Sequence, residues 1–398
     1  MPGTSLPSSA DAVVVGGGCM GASTAFHLAR RGLRVVVLER HHIASGATGH
    51  SGAIVRQLYE ARIGVRLARA GLKFFQGFEE VTGHPCDFVQ TGILSGARAR
   101  DVPNLEKLVG LLRSEGVDAR FVSPMEAKAL EPQLAVDDLA AAVFDPEAGY
   151  ADPILTAAGF ARAAEENGSR IAERADVQSL TAAGGSDRIV RWRGGRIAAS
   201  AVVVAAGTLT NRVLPKRTPG IPMRFERGEV AILRRPAGAG DPPRIHFDVY
   251  GNTYSRPEGS RDVLAGYMAR PSGKTLARPE PFDDSLPMAT ARDLQRRLAG
   301  RFPLMARAQP RGGWGGLYDV TTDGYPVVDR LADGLYACAG FSGHGFKLSP
   351  RIGELLAEFV ATGRRPADLE ALRATRFAEG DPVTPDAPFP ARRGPRLP

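Results

Sequence analysis

The sequence predicts an α/β fold, and three features of its 398 residues lead to that prediction. Near the N-terminus an apolar strand, a glycine turn and a helix follow one another, and a second apolar strand then ends in an acid. Residues 201–207 (AVVVAAG) form another apolar run that ends in glycine, as buried parallel strands do. Residues 221–270 alternate strand-like runs with proline and glycine turns, which indicates a second region rich in strands.

Residues 11–21 (DAVVVGGGCMG) have the glycine spacing of a dinucleotide-binding turn. Gly16 permits the tight turn, Gly18 lets the backbone approach a pyrophosphate, and Gly21 lets the helix pack on the strand. The amides that open the helix point at the phosphates, and the helix dipole adds to their attraction. Glu39 ends the next apolar strand, where an acid accepts both ribose hydroxyls of an adenosine. The flanking strands make this a stronger signal than the glycines alone.

The other elements are placed by their terminal signals, which are leucines at helical spacing, a capping box, proline at the first helical position and glycine turns. The predicted helices are about 63–80, 104–116, one from Ser123, one from Asp152 to about 167, 292–299, and one capped by Ser349-Pro350 that ends at Gly363. The predicted strands lie within 171–205, with a hairpin at 194–195, and at 335–339, and residues 312–318 are predicted as a glycine–aromatic turn.

Composition excludes several classes of protein. Hydrophobic residues make up 43% and charged residues 24%, which is ordinary for a globular enzyme, and no apolar run is long enough to span a membrane. Residues 1–10 lack the features of a signal peptide, so we expect a cytoplasmic protein. Cys19, Cys86 and Cys338 are too few and too far apart for a disulfide framework or a metal site. The net charge of +8 suits anionic ligands, but no basic run with aromatics indicates nucleic acid.

The two ends of the chain both carry nucleotide-binding elements, so they must meet in one domain. We therefore predict a nucleotide-binding domain from residues 1–85, 145–220 and 311–375. The substrate domain, from residues 86–144 and 221–310, is then discontinuous. From residue 379 the chain is rich in proline and arginine, which predicts a disordered tail over the last twenty residues (379–398).

Three segments together resemble the D-amino-acid-oxidase superfamily of FAD enzymes, namely residues 16–40, 201–207 and 340–354. Within that superfamily the sarcosine oxidase and dimethylglycine dehydrogenase branch is the most similar, because of residues 340–347 (GFSGHGFK) and 48–56 (TGHSGAIVR). The resemblance implies a glutathione-reductase-type, Rossmann-like FAD domain. It also implies a discontinuous α+β substrate domain built on an antiparallel sheet, with the isoalloxazine at the domain boundary.

Two shorter segments support the same branch, residues 317–326 (LYDVTTDGYP) and 149–153 (GYADP). The resemblance implies oxidation of the C–N bond of a secondary or N-methylated amino acid. A hydride passes from the carbon beside nitrogen to flavin N5 and leaves an imine, and O2 or another electron acceptor reoxidises the flavin. The expected partner is thus a small amine that bears a carboxylate.

Four residues match catalytic positions of the family. Arg56 and Lys347 match the pair that clamps the substrate carboxylate, to which a guanidinium offers a bidentate fork and an ammonium a point charge. Tyr254 matches an active-site tyrosine, although a tyrosine packed in a sheet is the plain alternative. The amides around His344 are expected to approach the flavin pyrimidine edge, where donors would stabilise the anionic reduced ring. His344 could equally serve only to support its loop.

The expected FAD contacts fall in the glycine turn, the loop that follows the acid, two strand positions and the last glycine-rich loop. They are Gly16, Gly18, Cys19, Met20, Gly21, Glu39, Arg40, Ser45, Thr48, Gly49, His50, Ser51, Gly207, Gly316, Gly340, Gly343, His344, Gly345, Phe346 and Lys347.

The chain departs from the family pattern near the flavin. His50 matches a histidine that links covalently to flavin in some relatives, but their neighbouring tryptophan is Gly49 here, so we expect a non-bonded contact and keep covalent linkage as the alternative. Gly316 replaces the cysteine that attaches flavin in monomeric sarcosine oxidases. Leu264 replaces the lysine that helps oxygen react, and Met268 replaces an active-site histidine. Dehydrogenase activity is therefore as open as oxidase activity.

Two other functions remain open on the sequence alone. A flavoprotein subunit of a hetero-oligomeric amine dehydrogenase, or a scaffold without turnover, would explain the departures at residues 264 and 268. A nicotinamide dehydrogenase would use the same glycine turn, but it gives no role to residues 340–347. The presence of both Arg56 and Lys347 argues against a dead site. A homo-oligomer is compatible with each of these functions.

Overall fold

The computed structural model describes residues 6–269 and 275–389. The strands are β1 (Ser9–Val15), β2 (Val35–Leu38), β3 (Ile54–Val55), β4 (Val89–Gln90), β5 (Ile93–Ala97), β6 (Arg120–Val122), β7 (Ala141–Asp145), β8 (Gly149–Tyr150), β9 (Arg170–Ala172), β10 (Val177–Gly184), β11 (Asp187–Trp192), β12 (Gly195–Val204), β13 (Met223–Arg234), β14 (Ile245–Asp248), β15 (Thr253–Glu258), β16 (Asp262–Gly266), β17 (Thr275–Leu276), β18 (Gln309–Thr321), β19 (Val327–Ala332) and β20 (Leu335–Ala339).

The helices are α1 (Cys19–Ala29), α2 (Arg62–Gln76), α3 (Phe78–Thr82), α4 (Val102–Ser114), α5 (Pro124–Leu130), α6 (Pro153–Glu166), α7 (Thr210–Val213), α8 (Met288–Arg301) and α9 (Gly345–Thr362). Short 3₁₀ helices occupy Ala99–Asp101, Gly207–Leu209, Pro303–Arg307, Ala367–Leu372 and Ala374–Phe377.

The first sheet has a parallel centre in the order β9, β2, β1, β12 and β20. Val13 of β1 pairs with Val36 on one side and with Val202 on the other. Ala12 and Val14 join the core that includes α1, α6 and α9, while Val13 faces the opposite layer. Both faces are thus covered, as a parallel sheet requires, which explains why its strands are uninterrupted apolar runs. The carboxyl ends of these strands share one edge, where α/β sheets bind their ligands.

The second sheet has the order β17, β13, β16, β15, β14, β5, β7 and β6, with β18 also paired to β13. All of its pairs are antiparallel except β14 with β5, so the predicted antiparallel sheet is present with one parallel step. Ala291, Leu294 and Leu298 of α8 pack against one face. A small third sheet joins β3, β8 and β4.

The prediction of a turn at residues 312–318 was wrong, because this segment lies within β18 and bonds to β13 along its length. Gly312 and Gly313 have φ angles of 126° and 148°, so the glycines allow an unusual strand rather than a turn. Strand β18 belongs to the second sheet, whereas we predicted residues 311–375 within the nucleotide-binding domain. The division into domains otherwise stays a prediction.

The start of the last helix also differs from the prediction. Helix α9 begins at Gly345, so Ser349 and Pro350 lie inside it and do not cap it. A proline has no amide to give to the carbonyl four residues earlier, which here is Phe346. The Ser349 hydroxyl donates to that carbonyl instead, at 2.8 Å. The serine thus replaces the missing bond and lets the helix continue.

The prediction of a disordered tail was wrong for residues 379–389, and residues 390–398 lie outside the described part of the chain. Val383, Ala387 and Phe389 are buried in the main core cluster. A composition rich in proline and arginine predicted disorder, but these three apolar side chains pack against other elements of the fold, and composition alone does not show such contacts. Among the described residues, no helix has the length and apolarity to cross a bilayer, and no three metal-ligating side chains come together.

Candidate active site

A cavity of about 840 Å³ lies between the carboxyl edge of the first sheet and the second sheet. Its volume is in the upper part of the usual range for ligand sites, about 300–1,000 Å³. Most of the residues predicted to contact cofactor or substrate line it. They are Gly16, Gly18, Cys19, Met20, Glu39, Arg40, Ser45, Thr48, His50, Ser51, Arg56, Gly207, Tyr254, Gly316, Gly343, Gly345, Phe346 and Lys347. Gly21, Gly49, Gly340 and His344 do not line it.

The glycine turn forms one end of the cavity, and its backbone is too tightly packed for side chains. Gly16 has φ 113°, and a Cβ added there would lie 2.3 Å from the Ala205 carbonyl oxygen. A Cβ on Gly21 would lie 1.9 Å from the Gly16 carbonyl oxygen. Helix α1 starts at Cys19 with no acidic side chain in its first turn. Its positive end is therefore available to an anion such as a diphosphate.

Two side chains hold the turn in place. The Glu39 carboxylate accepts the Gly17 amide at 2.6 Å and the His41 amide at 2.8 Å. The Thr48 hydroxyl accepts the Cys19 amide at 3.0 Å, which ties the following loop to the start of α1. Glu39 lines the cavity, so its oxygens face the region where an adenosine ribose is expected.

The sequence did not predict one carboxylate that lines the cavity, Glu280. Glu280 makes a two-pronged ion pair with Arg40, and its second oxygen lies 3.6 Å from Arg212. The Arg40 guanidinium lowers the pKa of the Glu280 carboxyl. Residues 279–282 line the cavity. No local signal could have found this contact, because its partners are 240 residues apart in sequence.

We expect Glu280→Gln to release FAD faster, because the substitution removes the charge that ties residues 279–282 to Arg40 and Arg212. Glu280 is 40% exposed, so the loss is limited to the range for surface pairs, up to about 1 kcal/mol or roughly a fivefold faster release. The measurement is the rate of flavin fluorescence recovery on dilution. Glu370→Gln is the matched control, since Glu370 also pairs with two arginines but lies outside the cavity. Equal rates for both variants would contradict the prediction.

Two cationic side chains, Arg56 and Lys347, line the cavity near one another. The Arg56 side chain is buried, donates to the Leu58 carbonyl, and lies over the rings of Tyr59 and Phe247 at 4.6 and 5.2 Å. Lys347, near the start of α9, is 6% exposed. Burial, and after it the Arg56 charge, hold the pKa of Lys347 well below its usual range. Among the residues that the structure describes, the Lys347 ammonium has no hydrogen-bond or ion-pair partner.

Close helix packing sets the position of Lys347. A Cβ on Gly71 of α2 would lie 2.2 Å from the Lys347 carbonyl oxygen, so the two backbones almost touch there. The Ser23 hydroxyl of α1 donates to the Ser349 carbonyl at 2.8 Å. The start of α9 is thus held from two sides, and its lysine is directed into the cavity by a rigid element rather than a loop.

The wall beside the two cations is apolar. Phe247, Tyr254 and Met268 line the cavity there. Tyr254 packs against two glycines, since a Cβ on Gly266 would lie 2.5 Å from its ring and one on Gly52 would lie 3.3 Å from its hydroxyl. Burial raises the pKa of Tyr254, so its phenol stays protonated at neutral pH. A catalytic role for Tyr254 stays a prediction.

His50 lies at the cavity wall under strand β18. Its Nδ1 is 2.9 Å from the Gly46 carbonyl, and its Nε2 is 3.6 Å from the Asp284 carboxylate. The Trp314 indole donates to the His50 carbonyl at 2.8 Å. A Cβ on Gly316 would lie 3.1 Å from the His50 Cβ, so this glycine makes room for the histidine. The hydrogen bond from Trp314 holds the backbone of His50 against β18. A covalent bond from His50 to flavin stays a hypothesis.

The four predicted residues that do not line the cavity, Gly21, Gly49, Gly340 and His344, make other contacts. His344 faces a separate cavity of about 30 Å³, and its Nδ1 lies 3.2 Å from the Tyr59 hydroxyl. The Gly340 amide donates to the Asp319 carboxylate at 2.7 Å. Burial raises the pKa of Asp319 to about 6. Asp319 lines the main cavity and was missed, although it stands within the segment that carried the resemblance. Gly21 and Gly49 serve close backbone packing instead.

Comparison with known proteins agrees with this arrangement. The family model for FAD-dependent oxidoreductases (DAO) matches residues 11–359. The chain is 28% identical over 389 residues to human mitochondrial sarcosine dehydrogenase, covering 94% of this chain and 42% of that protein. It is 26% identical over 378 residues to glycine oxidase of Geobacillus kaustophilus, covering 92% of this chain and 97% of that protein.

Solved structures show the same fold. L-proline dehydrogenase from P. horikoshii superimposes with a TM-score of 0.86 at 25% identity, covering 95% of this chain and all of that one. The chain spans only 42% of the human and mouse sarcosine dehydrogenases that it matches. Three features of the site fit FAD: the tightly packed glycine turn, the start of α1 without an acidic side chain, and the volume of the cavity. The family match therefore favours FAD over the nicotinamide cofactor considered above. The chain belongs to the DAO family of FAD-dependent oxidoreductases.

Proposed function

We propose that this chain oxidises the C–N bond of a small amino acid whose nitrogen is secondary or N-methylated. The observation that carries the proposal is the Lys347 ammonium, which is buried beside Arg56 without a partnering carboxylate among the described residues. A buried charge is costly unless it is paired. A substrate carboxylate would supply the missing charge, and the protein gains little from such an arrangement otherwise.

The names of the relatives support this class of substrate. Sarcosine and L-proline, which two of the related proteins are named for, are both carboxylates with a secondary amine. A third relative, from Paenarthrobacter nicotinovorans, is named 4-methylaminobutanoate oxidase, again for an N-methylated amino acid. The apolar wall of Phe247, Tyr254 and Met268 would suit the carbon atoms of such a molecule.

Each side chain has a defined task in this proposal. Arg56 and Lys347 bind the carboxylate, and the rings of Tyr59 and Phe247 hold the guanidinium in place. With one end anchored, the amine end of the substrate can lie only toward the middle of the cavity, so its orientation is set before reaction. FAD, when bound, supplies the hydride acceptor. The apolar wall of Met268 and Phe247 excludes water from the reacting C–H bond.

The test is anaerobic mixing of the purified yellow protein with sarcosine, N,N-dimethylglycine, L-proline, glycine and D-alanine in turn. Loss of the visible flavin absorbance identifies the substrate. Pyrrolidine is the matched control for L-proline because it has the same ring and amine without the carboxylate. We expect L-proline or an N-methylated amino acid to bleach the flavin, and pyrrolidine to do so far more slowly. If pyrrolidine and L-proline react equally, the carboxylate clamp is absent and the proposal fails.

Residue 264 supports a proposal about the electron acceptor. In this chain it is Leu264, a fully buried side chain of β16 that carries no charge. The resemblance to monomeric sarcosine oxidases implies that a lysine at this position helps oxygen react there, and this chain lacks it. We therefore propose that an acceptor other than O2 takes the electrons. Readmission of air after bleaching checks this, since slow return of the colour supports a dehydrogenase and rapid return an oxidase.

A second candidate is the same oxidation within a multi-subunit enzyme. The chain is 27% identical to sarcosine oxidase subunit beta of Arthrobacter and covers 92% of that protein's length. A yellow protein that no amine bleaches on its own, but which does react after addition of copurified partners, would favour this candidate.

The lowered pKa of Lys347 predicts a pH dependence of substrate binding. Only the protonated lysine pairs with a carboxylate, so binding and protonation favour each other. We expect affinity to be highest at low pH and to fall as the pH rises through the lowered pKa of Lys347. The measurement is KM against pH for the wild type and for Lys347→Met. The substrate amine titrates identically in both, so a step that persists in the variant would assign it to another group.

A further inference from the structure

The chain does not end at α9 but returns across the molecule. We call residues 378–389, which follow the 3₁₀ helix Ala374–Phe377, the C-terminal strap. Two of its contacts with the rest of the protein act as anchors: one is bonded to the loop that leads into Lys347, and the other lies close to Arg56.

The first anchor is a buried ion pair at the base of the strap. Arg376 and Asp323 are both almost fully buried and are joined by hydrogen bonds of 2.8 and 3.0 Å. The Val383 amide of the strap donates to the same carboxylate at 3.0 Å. The base of the strap is thereby held to the turn that follows β18.

That turn is bonded in its own right to the loop that leads into Lys347. The Asp323 carboxylate accepts the Thr321 hydroxyl at 3.2 Å. The Thr321 amide donates to the Ser342 hydroxyl, also at 3.2 Å. Ser342 lies five residues before Lys347 in the same loop and helix start. A continuous set of bonds therefore runs from the strap to the segment that carries Lys347.

The second anchor adjoins Arg56. The amides of Asp386 and Ala387 donate to the Glu60 carbonyl at 2.8 and 3.0 Å. The Phe389 amide donates to the Glu60 carboxylate at 2.8 Å. The Asp386 carboxylate accepts the Arg62 amide at 2.7 Å.

The second anchor also caps helix α2. Ala61, at the N-cap position, has no side chain that could accept an amide, so Asp386 provides this cap from the other end of the chain. The strap thus fixes the segment from residue 56 to the start of α2.

Phe389 brings the strap to Arg56 itself. Phe389 is 3% exposed, and it lines the 30 Å³ cavity together with Arg56, Tyr59 and His344. Phe389 therefore shares a small cavity with Arg56, and this cavity adjoins the main one because Arg56 and Phe247 line both. Packing there limits the positions that the guanidinium can take.

We propose that the C-terminal strap is a positioning element for the carboxylate clamp. It holds the Arg56 segment and the Lys347 segment at a fixed separation, so it sets the affinity for the substrate carboxylate. This inference rests on the proposed function. Asp386 and Phe389 act through Arg56 and do not touch substrate, which makes them positioning residues.

The test compares Asp386→Ala with Asp381→Ala in the full chain. Asp381 is the matched control because it lies in the same strap, has a side chain that is 70% exposed and, within the described part of the chain, forms an ion pair only with Arg373. Loss of a helix cap costs about 1 kcal/mol of helix stability, which limits the effect that can reach the clamp, so we expect KM for the amino acid to rise by up to about fivefold in Asp386→Ala. We expect kcat, the pyrrolidine reaction and FAD content to stay within roughly twofold. Asp381→Ala should match the wild type.

Phe389 provides a second, independent variant. Phe389→Ala should raise KM in the same way, and Phe389→Leu should restore most of the affinity because it refills the space beside Arg56. If Asp386→Ala and Asp381→Ala behave alike, the inference is overturned. Equal loss with L-proline and with pyrrolidine would also overturn it, since that pattern belongs to general destabilisation.

A binding measurement separates this inference from the proposed function. Acetate, the simplest carboxylate with a methyl group, is titrated against the oxidised protein while the visible flavin spectrum is recorded. If acetate perturbs the wild type and binds Asp386→Ala more weakly, the inference is supported even where turnover is slow. If acetate binds both equally, the strap has no positioning role while the clamp stands. If acetate binds neither, the clamp itself fails and the inference falls with it.

Discussion

Replacement of Lys347 by methionine is expected to weaken the reaction with amino acids by at least about thirtyfold in kcat/KM while leaving a yellow, folded protein. The ammonium is the one clamp charge held by a helix, and loss of one partner of a desolvated charge pair costs about 2–5 kcal/mol, or roughly 30- to several-thousand-fold in kcat/KM. Methionine fills a similar volume without a charge. Because burial lowers the pKa of Lys347, removal of that charge should not lower the Tm.

The control for this prediction is a second substrate, pyrrolidine, rather than a second variant. The wild type should reduce its flavin far faster with L-proline than with pyrrolidine, and Lys347→Met should lose most of that difference. Anaerobic stopped-flow at the visible flavin band measures both rates. A variant that keeps its preference for L-proline would show that Lys347 does not bind the carboxylate, even if its absolute rate falls.

Replacement of Gly21 by alanine is expected to produce colourless protein. The added Cβ would lie 1.9 Å from the Gly16 carbonyl oxygen. The Cβ is fixed by the backbone of α1 and the oxygen belongs to the backbone of the turn, so neither atom can rotate away. The start of α1 must then move from the glycine turn, which displaces the amides that face the diphosphate. Overpacking of this kind costs about 1–3 kcal/mol or more in the free energy of unfolding. The ratio of visible to protein absorbance after purification measures the loss of FAD.

Gly300→Ala is the matched control for this prediction. Gly300 also lies within a helix, α8, but nothing stands within 4 Å of its added Cβ. Alanine there should stabilise the protein by about 0.5–1 kcal/mol and leave FAD content unchanged. Stoichiometric FAD in Gly21→Ala would mean that the helix start tolerates movement and that the glycine turn is less critical than proposed.

Local elements of the fold could be predicted because their causes are close together in sequence. The Ser123 capping box is confirmed, with bonds that span three residues. Asp152 caps α6 as predicted, and its carboxylate accepts the next two amides of the helix. The glycine turn between β1 and α1 is likewise confirmed as a turn. In each case the chemistry lies within one turn of chain.

Features that depend on distant partners could not be predicted in this way. Strand β18 was taken for a turn because its glycines suggest one, and only the long pairing with β13 makes it extended. The sequence of the strap predicted a disordered tail, because its ordered conformation depends on hydrogen bonds to the distant residues Asp323 and Glu60. Glu280 gives no local sign that it would meet Arg40. All three depend on tertiary contacts.

Within the site, the sequence was most informative about residues that face the cavity and least informative about those behind it. Arg56 and Lys347 line the cavity as predicted, although their roles stay proposals. His344 stands in the same short motif as Lys347, yet the helix that begins after it turns the histidine toward Tyr59. The motif at residues 340–347 therefore predicted which loop lies at the cavity, but the geometry at the start of α9 determines that Lys347 and not His344 lines it.

The strand order of the first sheet also governs how this protein can be made. Val13 of β1 pairs with Val202 of β12, and Val202 pairs in turn with Leu335 of β20. Strand β1 therefore meets its second neighbour only after about half of the chain has been made, and the sheet gains β20 only near the end of synthesis. At roughly 5–20 residues per second, the apolar N-terminal strand waits on the order of tens of seconds. Because residues as late as Lys347 line the cavity, we expect the nascent chain to complete its FAD site only near the end of synthesis, and the incomplete sheet exposes apolar surface until then.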